Sequence, residues 1–435
     1  MWLFFSYPVF LPTIFHLEPN KLYFYSMTKE FYLKHHSFHI KAIFSALKNI
    51  FERNEYADKA IEKEMRAHKK WDVKERAFVA DVTYDIVRNW RLLFAAAGEE
   101  GKLTDKTLWN VFGTYLVFDG YTLPESNYFK GLNEKKIISQ LEKFHKIRKI
   151  RESVPDWLDA VGEKELGKDW DKIIRALNQR PTTVLRANSL KTTPKDLQII
   201  LSEEKITDAS LISWSPDAVE LKYPRNVFRT EAFHKGLFEV QDASSQMVSE
   251  FLNVQPGMRV VDACAGAGGK TLHLAALMKN KGRIIALDVK ENKLLELKKR
   301  ATRADVRIVE TRTIDSSKVV KRLKDTADRL LLDVPCTGLG VLRRNPDSKW
   351  KLNIEELERV KTIQRDILSG FPEITKVGGK MVYATCSILP SEGEEQIKWF
   401  LNQYKDKWNL LGEKRYSPDT YHADGFYMAL LERIK

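Results

Sequence analysis

The chain has 435 residues, 43% of them hydrophobic and 30% charged, so it is long enough for two or three ordered domains. Its formal net charge of +13 favours a polyanionic partner such as nucleic acid. The three cysteines are too few and too widely spaced for a disulfide framework or a zinc site, so we expect a reducing compartment and no metal.

The first segment, residues 1–26, is strongly apolar but lacks a basic leader and is interrupted by Pro8 and Pro12. Such a segment makes a poor signal peptide and is too short and broken to span a bilayer. Met27 opens a more ordinary sequence, which raises the hypothesis that translation starts there. We therefore expect a cytoplasmic protein without a membrane segment.

Residues 27–150 show helical periodicity and few strand signals, which predicts a small all-helical domain. Apolar residues at three- and four-residue steps predict one helix face: Val79, Val82, Ile86, Trp90 and Leu93. Seven lysines and arginines accompany two glutamates between Glu134 and Arg151. This basic segment has two interpretations, a solvated helix face near a domain boundary or a stripe that contacts RNA.

Residues 151–240 predict a small α+β module, with strand-like runs at 183–188 and 218–223 and a helix at 195–202. From 241 to 435 strands alternate regularly with helices, and the predicted strands are 259–263, 283–288, 306–309, 329–333 and 380–385. This succession predicts a doubly wound parallel sheet, whose ligands bind outside the carboxyl ends of its strands.

A glycine-rich loop, residues 262–271, follows the first of these strands. Glycines let backbone N–H groups approach a ligand at the positive end of the next helix. A P-loop would need glycine where Cys264 stands, and a dinucleotide loop would need glycine where Thr271 stands. S-adenosylmethionine, which carries no phosphate, needs only the close approach.

Three acidic residues close successive strands of the predicted sheet: Asp288, Asp315 and Asp333. Asp288 is placed to accept ribose hydroxyls, and Asp315 to take an adenine amino group. Each could instead be a helix N-cap, but that interpretation is less favoured for the whole set.

Cys336 and Cys386 lie in polar turns just beyond the fourth and fifth predicted strands. Neighbouring strands are about 5 Å apart, so both thiols would face one base. C5 of cytosine is a poor nucleophile, so a thiolate must first add to C6 and a second group must later help to expel it. The attacking thiol needs a positive or hydrogen-bonding environment, from Lys270, Lys349 or a helix N-terminus. Cys264 is interpreted as a small buried residue whose backbone contributes to the loop.

These motifs resemble the RsmB/Sun (NOL1/NOP2/Sun-type) family of RNA cytosine-C5 methyltransferases. The resemblance includes residues 240–246 and 342–347, and residues 56–60 and 74–90 resemble the NusB-like helical domain of RsmB-type members. It implies a class I (Rossmann-like) S-adenosylmethionine methyltransferase domain at 241–435, after a NusB-like RNA-binding domain and the α+β module.

The resemblance also implies the roles of site residues. Cys386 would be the nucleophile that adds to C6, and Cys336 would assist release of the methylated base. Asp333 would also contact the cytosine edge. The residues implied to hold S-adenosyl-L-methionine are Cys264, Ala265, Gly266, Ala267, Gly268, Gly269, Lys270, Asp288, Asp315 and Asp333. Family members usually have Ala-Pro at Gly266-Ala267, so this loop would be looser without losing a reacting group.

The NusB-like resemblance favours small-subunit (16S) ribosomal RNA as the substrate, by analogy alone. Two alternatives stay open: a tRNA substrate with the same chemistry, and a non-catalytic RNA-binding assembly factor. The presence of both cysteines and all the acidic residues disfavours the second. A monomer is expected.

Overall fold

The computed structural model describes residues 37–435 except Pro224, so the apolar segment 1–26 lies outside the described residues. The chain divides into two compact units, Met1–Glu142 and Lys143–Lys435. The second unit contains both the small α+β module and the larger sheet. None of the described helices is long and apolar enough to cross a bilayer.

The described part of the first unit is helical. Its helices are α1 (Ser37–Phe51), α2 (Ala57–Ala67), α3 (Val73–Arg88), α4 (Trp90–Ala96), α5 (Asp105–Phe118) and α6 (Glu134–His145), the last of which extends past the boundary. A capping box of Asp72 and Glu75 starts α3.

The single helix face predicted over 79–93 is wrong, because Asn89 leaves helical geometry (φ −105°, ψ 18°) and separates α3 from α4. Val79, Val82, Ile86 and Leu93 are buried, as the periodicity indicates. Trp90 instead begins α4, and its ring stacks on Phe51 at a centroid distance of 4.1 Å.

The basic segment also forms two helices, because a break separates α6 from α7 (Arg148–Arg151). Arg148 donates to Asp159 at 2.7 Å, and Arg151 donates to Glu152 at 2.7 Å and to Asp171. The arginines of α7 thus take part in ion pairs within the protein. The lysines at 135, 136, 143 and 146 are exposed.

The α+β module is an antiparallel four-stranded sheet in the order β2-β3-β1-β4. Its elements, with the two helices that precede it, are α8 (Asp156–Leu166), α9 (Trp170–Leu177), β1 (Thr183–Ala187), α10 (Pro194–Glu203), β2 (Ala209–Leu211), β3 (Ala218–Leu221), α11 (Glu231–His234) and β4 (Phe238–Val240). Leu185, Leu197, Val219 and Phe238 are fully buried in its core.

The larger sheet has seven strands in the order β10-β11-β9-β8-β5-β6-β7. They are β5 (Arg259–Asp262), β6 (Arg283–Asp288), β7 (Val309–Thr313), β8 (Ala327–Asp333), β9 (Thr375–Thr385), β10 (Trp408–Tyr416) and β11 (Phe426–Arg433). The helices around it are α12 (Ala243–Phe251), α13 (Gly269–Leu277), α14 (Glu291–Ala304), α15 (Ser317–Lys321), α16 (Ser348–Lys351), α17 (Ile354–Gly370), α18 (Glu394–Tyr404) and α19 (Pro418–Tyr421).

Strands β7, β6, β5, β8 and β9 run parallel, and β11 pairs antiparallel with β9 and β10. The predicted doubly wound, Rossmann-like sheet is therefore confirmed. The third strand was predicted too early, at 306–309, because Val306 follows the left-handed Asp305 that ends α14 and packs in the core instead. The order of strands reverses between β5 and β8, which places a switch point beside the glycine-rich loop.

Candidate active site

The two cysteine-bearing turns follow neighbouring parallel strands. Asp333, the last residue of β8, pairs with Ala384 of β9, so Cys336 and Cys386 emerge at the same sheet edge. Their Sγ atoms lie 3.1 Å apart, and both residues are partly exposed. The structure thus brings together the two thiols that sequence analysis paired.

Gly340 permits a close approach of three chain segments at this point. Its N–H donates to the Cys386 carbonyl at 2.9 Å, and its own carbonyl accepts from Gly425 N at 2.8 Å. A Cβ at position 340 would lie 2.1 Å from the Gly425 oxygen and 2.7 Å from the Cys386 oxygen. Only glycine therefore allows the turn after Cys336 to pack against the Cys386 backbone.

The Cys336 thiol is held in its neutral form. Its hydrogen bond with Cys386, its burial, and the negative charges of Cys386 and Glu392 together raise the pKa of Cys336 well above the usual range. At neutral pH this group therefore keeps its proton, next to the sulfur of Cys386.

Lys270 supplies a fixed positive charge beside these thiols. Its Nζ donates to Asp333 Oδ2 at 2.6 Å and lies 5.0 Å from the centre of the Phe426 ring. Burial acts to lower the pKa of Lys270, but Asp333 and then Cys386 raise it above the ordinary value. Lys349, the other lysine considered, instead donates to the Glu152 carbonyl and to Asn178 Oδ1.

The glycine-rich loop is shaped by two residues with positive φ, Gly266 (+53°) and Gly268 (+86°). A Cβ at position 268 would lie 2.4 Å from Leu297 Cγ, so glycine is needed where the loop meets α14. Arg300 donates to the Ala267 carbonyl at 2.9 Å and Arg186 to the Gly269 carbonyl at 2.5 Å. Side chains behind the loop therefore hold its carbonyls in place.

The predicted acidic residues follow the strands beside this loop. Asp288 ends β6, where its carboxylate accepts from Gly266 N and Lys290 N, both at 2.8 Å. Thr313, the last residue of β7, pairs with Asp288, and the exposed Asp315 follows two residues later. The structure places Asp288 in direct contact with the loop, whereas Asp315 lies farther out along the same edge.

Asp262, at the end of β5, was missed as a site residue although it is the first residue of the glycine-rich loop. It is 1% exposed, and its Oδ2 accepts from Thr271 Oγ1 at 2.7 Å. Its Oδ1 is buried without a hydrogen-bond partner in the described part of the chain. Burial raises the pKa of Asp262 to about 7. A ligand that donates a hydrogen bond would satisfy this oxygen.

Burial and the charges of Asp262, Asp333 and Asp288 raise the pKa of the Cys264 thiol well above its usual range. Its side chain is therefore a small neutral group, and the backbone around it shapes the loop. With its positive-φ glycines, strand-end carboxylates and unsatisfied Asp262 oxygen, the loop fits a compact ligand without phosphates. S-adenosyl-L-methionine has this chemistry.

Sequence analysis also missed two polar residues that join distant segments around the cysteines. Arg344 donates to Asp242 Oδ2 at 2.8 Å and to Asp424 Oδ2 at 2.6 Å. Glu392 is fully buried and accepts hydrogen bonds from both cysteine-bearing turns. Arg344 lies in the family-like segment 342–347, but no local pattern distinguishes Glu392 from an exposed acid.

Three potential metal ligands converge away from the cysteines: Asp217, Glu250 and His273. His273 Nε2 lies 3.0 Å from Asp217 Oδ2 and 3.7 Å from Glu250 Oε1. Burial lowers the pKa of His273 to about 4. A neutral histidine that donates to Asp217 accounts for this contact, and the expectation that no metal is required stays a prediction.

Comparison with known proteins assigns the α+β module and the larger sheet to one family. A family model described as 16S rRNA methyltransferase RsmB/F matches residues 249–432, and a model of the RsmF/B-like ferredoxin-like domain matches residues 154–228.

The chain is also similar to named relatives and to a solved structure. It is 29% identical over 442 residues to a probable ribosomal RNA small subunit methyltransferase B of Synechocystis, across 90% of this chain and 98% of that protein. The corresponding protein of Pectobacterium atrosepticum is 37% identical over 287 residues, which span 64% of this chain and 66% of the relative. The crystal structure of PH0851 superimposes with a TM-score of 0.76 at 26% identity, across 91% of this chain and 98% of that one.

Both family regions, the parallel sheet and the paired cysteines agree with the resemblance seen in the sequence. The chain belongs to the RsmB/F family of methyltransferases, and its cofactor is S-adenosyl-L-methionine.

Proposed function

We propose that this protein methylates C5 of a cytosine in small-subunit ribosomal RNA. The observation that carries this proposal is the 3.1 Å separation of the Cys336 and Cys386 sulfurs, beside Lys270 and the glycine-rich loop. Methylation of an amine needs no nucleophilic thiol, whereas methylation of C5 of cytosine needs one thiol to activate the ring and a second group to release it.

In this mechanism the Cys386 thiolate adds to C6, which makes C5 nucleophilic. Bound S-adenosyl-L-methionine supplies the electrophilic methyl group that C5 takes. After the C5 proton is lost to a base, the bond between Cys386 and C6 breaks and the aromatic ring is restored. Cys336, within 3.1 Å of the sulfur that must leave, assists this release.

Lys270 and Asp333 are suited to hold the reactants in place. Their ion pair joins the first turn of α13, which follows the cofactor loop, to the end of β8, three residues before Cys336. In the proposed complex Asp333 also contacts the cytosine edge, while residues 264–270 with Asp288 and Asp315 hold the cofactor. Lys270 stabilises negative charge on Cys386.

The choice of ribosomal RNA rests on the named relatives, which are small-subunit ribosomal RNA methyltransferases, and on the net charge of +13. The helical unit before the catalytic unit would bind RNA as a NusB-like domain. We also propose that the protein is monomeric and cytoplasmic and that it requires no metal.

The test is to incubate the purified full chain with labelled S-adenosyl-L-methionine and either deproteinised small-subunit ribosomal RNA or bulk tRNA, and then to map 5-methylcytosine. We expect one labelled ribosomal cytosine. Label in tRNA alone would retain the chemistry and overturn the substrate. No label in either RNA, despite cofactor binding, would overturn methylation of free RNA and favour a non-catalytic assembly factor or a preassembled particle as substrate.

The cysteine roles are tested separately by trapping the covalent adduct on a denaturing gel. Cys386→Ser is expected to abolish both methylation and the adduct. Cys336→Ser is expected to allow attack and to leave RNA bound to the protein. The reverse pattern, with the adduct lost only in Cys336→Ser, would exchange the two roles.

A further inference from the structure

Glu392 lies at the end of a short 3₁₀ helix (Pro390–Glu392), six residues beyond Cys386, and is fully buried. Its Oε1 accepts from the Thr337 N–H at 2.8 Å and from Gln364 Nε2 at 3.1 Å. Its Oε2 accepts from Thr337 Oγ1 and Ser387 Oγ, both at 2.5 Å. The two amide groups can only donate, so Oε1 acts as an acceptor, while Oε2 bonds to two hydroxyl groups.

Three of these four bonds come from the residues that directly follow the two cysteines. Thr337 follows Cys336, and Ser387 follows Cys386, so a single carboxylate binds both cysteine-bearing turns. Gln364 connects a third segment, α17, to the same carboxylate. Its Nε2 also donates to the Pro335 carbonyl at 3.0 Å, one residue before Cys336. The relative position of the two sulfurs therefore depends on Glu392.

We propose that Glu392 is a positioning residue that holds the two cysteine-bearing turns, and with them the two sulfurs, in their relative position. This inference rests on the proposed function, because it concerns the division of work between the two cysteines. Glu392 itself touches neither the base nor the cofactor in this scheme and acts through Thr337 and Ser387.

The charged and titratable groups around Cys336 add an electrostatic consequence to this geometry. Cys386, which follows β9, and Glu392, in the 3₁₀ helix, act on the charge of Cys336, and Cys336 in turn acts on the buried Tyr383 of β9. Lys270, which is paired with Asp333, interacts with the charge of Cys386. The hydrogen bond with Cys386 and burial are the larger causes of the raised pKa of Cys336, and the charges of Cys386 and Glu392 add to them.

A protonated Cys336 has a chemical consequence for the reaction. It leaves nucleophilic attack to Cys386 and keeps a proton-bearing group 3.1 Å from the sulfur that must later be expelled. Because the charge of Glu392 adds to the raised pKa of Cys336, its loss should let Cys336 ionise at a lower pH than in wild type.

The test compares Glu392→Gln with wild type in the full chain. Glutamine keeps the side-chain size, but it removes the charge and one of the two acceptor oxygens. We expect kcat for rRNA methylation to fall by about 10²-fold with KM little changed, as for a misplaced reacting group. We also expect the pH midpoint of Cys336 alkylation by iodoacetamide, followed by peptide mass spectrometry, to fall.

Glu165→Gln is a matched control. Glu165 accepts from Ser391 N at 3.0 Å and Ser391 Oγ at 2.9 Å, so it holds the same 3₁₀ helix without contacting either cysteine-bearing turn. The Cys336 alkylation midpoint should be unchanged in this variant. An equal shift in both variants would assign the effect to the 3₁₀ helix as a whole and overturn the role of Glu392.

An unchanged alkylation midpoint or an unchanged kcat in Glu392→Gln would also overturn the proposal. If that variant does not fold, Ser387→Ala takes its place, because it removes one bond to Glu392; a kcat within about twofold of wild type would then count against the inference. Alkylation requires no RNA, so its result stands even if wild type methylates no RNA and the proposed function fails.

Discussion

Arg344 provides a prediction about the stability of the catalytic unit that can be worked from the structure. Its guanidinium bonds to Asp242, before α12, and to Asp424, before β11, and it donates to the Thr182 carbonyl at 3.2 Å. The Asp242 and Asp424 side chains are only 6% and 3% exposed. Arg344→Met would therefore leave two buried carboxylates without their shared cation.

Removing one partner of a buried ion pair costs about 3–5 kcal/mol, because the remaining charge is uncompensated. For a unit of this size that corresponds to a fall in Tm of about 5–8 °C. Burial, followed by the charge of Asp242, already raises the pKa of Asp424 to about 7 in the intact protein. Loss of Arg344 raises the pKa of Asp424 further. In the variant Asp424 therefore takes up a proton, which reduces the destabilisation.

This protonation makes the cost depend on pH, with a definite sign. A carboxyl group with a raised pKa binds more protons folded than unfolded, so stability falls as pH rises from the unfolded pKa to the folded one. Wild type completes this loss near pH 7, whereas Arg344→Met continues to lose stability above it. The difference between the two proteins should be about 2 kcal/mol larger at pH 8.5 than at pH 7.

The assay is urea unfolding of the full chain at both pH values, with Arg343→Met as the control. Arg343 donates to the carbonyls of His422, Ala423 and Arg180, and its charge lowers the pKa of Asp424 less than Arg344 does, so its loss should cost stability with a smaller pH dependence. Adding Asp424→Asn to Arg344→Met should recover stability at pH 8.5. A destabilisation equal at the two pH values, or no recovery in the double variant, would refute the reasoning.

Three further predictions concern the site and its support. Gly340→Ala places a Cβ against the Gly425 and Cys386 carbonyls and should cost about 1–3 kcal/mol and lower methylation strongly. Gly370→Ala, whose Cβ would meet no atom outside its own helix within 4 Å, should lower neither stability nor methylation; equal losses in the two variants would contradict the steric argument. Diamide should join Cys336 and Cys386 in a disulfide, each thiol losing a proton and an electron, and dithiothreitol should restore activity; peptide mapping that finds no such link would contradict the sulfur geometry. His273 has a pKa of about 4 in the folded protein, so between pH 6.5 and pH 4 only the unfolded state takes up a proton at this residue. The free energy of unfolding of wild type should therefore fall by about 2 kcal/mol from pH 7.5 to pH 5, and that of His273→Gln should not show this fall. Parallel pH profiles of the two proteins would refute this.

The parallel strands and the proximity of the two cysteines were predictable because their signals are local. An apolar run followed by a polar turn identifies the end of a buried strand without knowledge of its neighbours, and β6 was predicted to the residue. The positive-φ glycines of the loop and the thiols of Cys336 and Cys386 are likewise visible in short segments. The break at Asn89 was not, since the apolar period continues through it into α4.

The amino-acid sequence by itself predicted which groups react and that they lie at the carboxyl ends of strands, because residue types and the succession of strands and helices are read along the chain. Only the tertiary structure decided that Glu392 binds both cysteine-bearing turns and that Arg344 joins Asp242 to Asp424. It also decided that one buried oxygen of Asp262 finds no hydrogen-bond partner among the described residues. These polar groups act as they do because they are buried, and their burial depends on segments more than a hundred residues away in the chain.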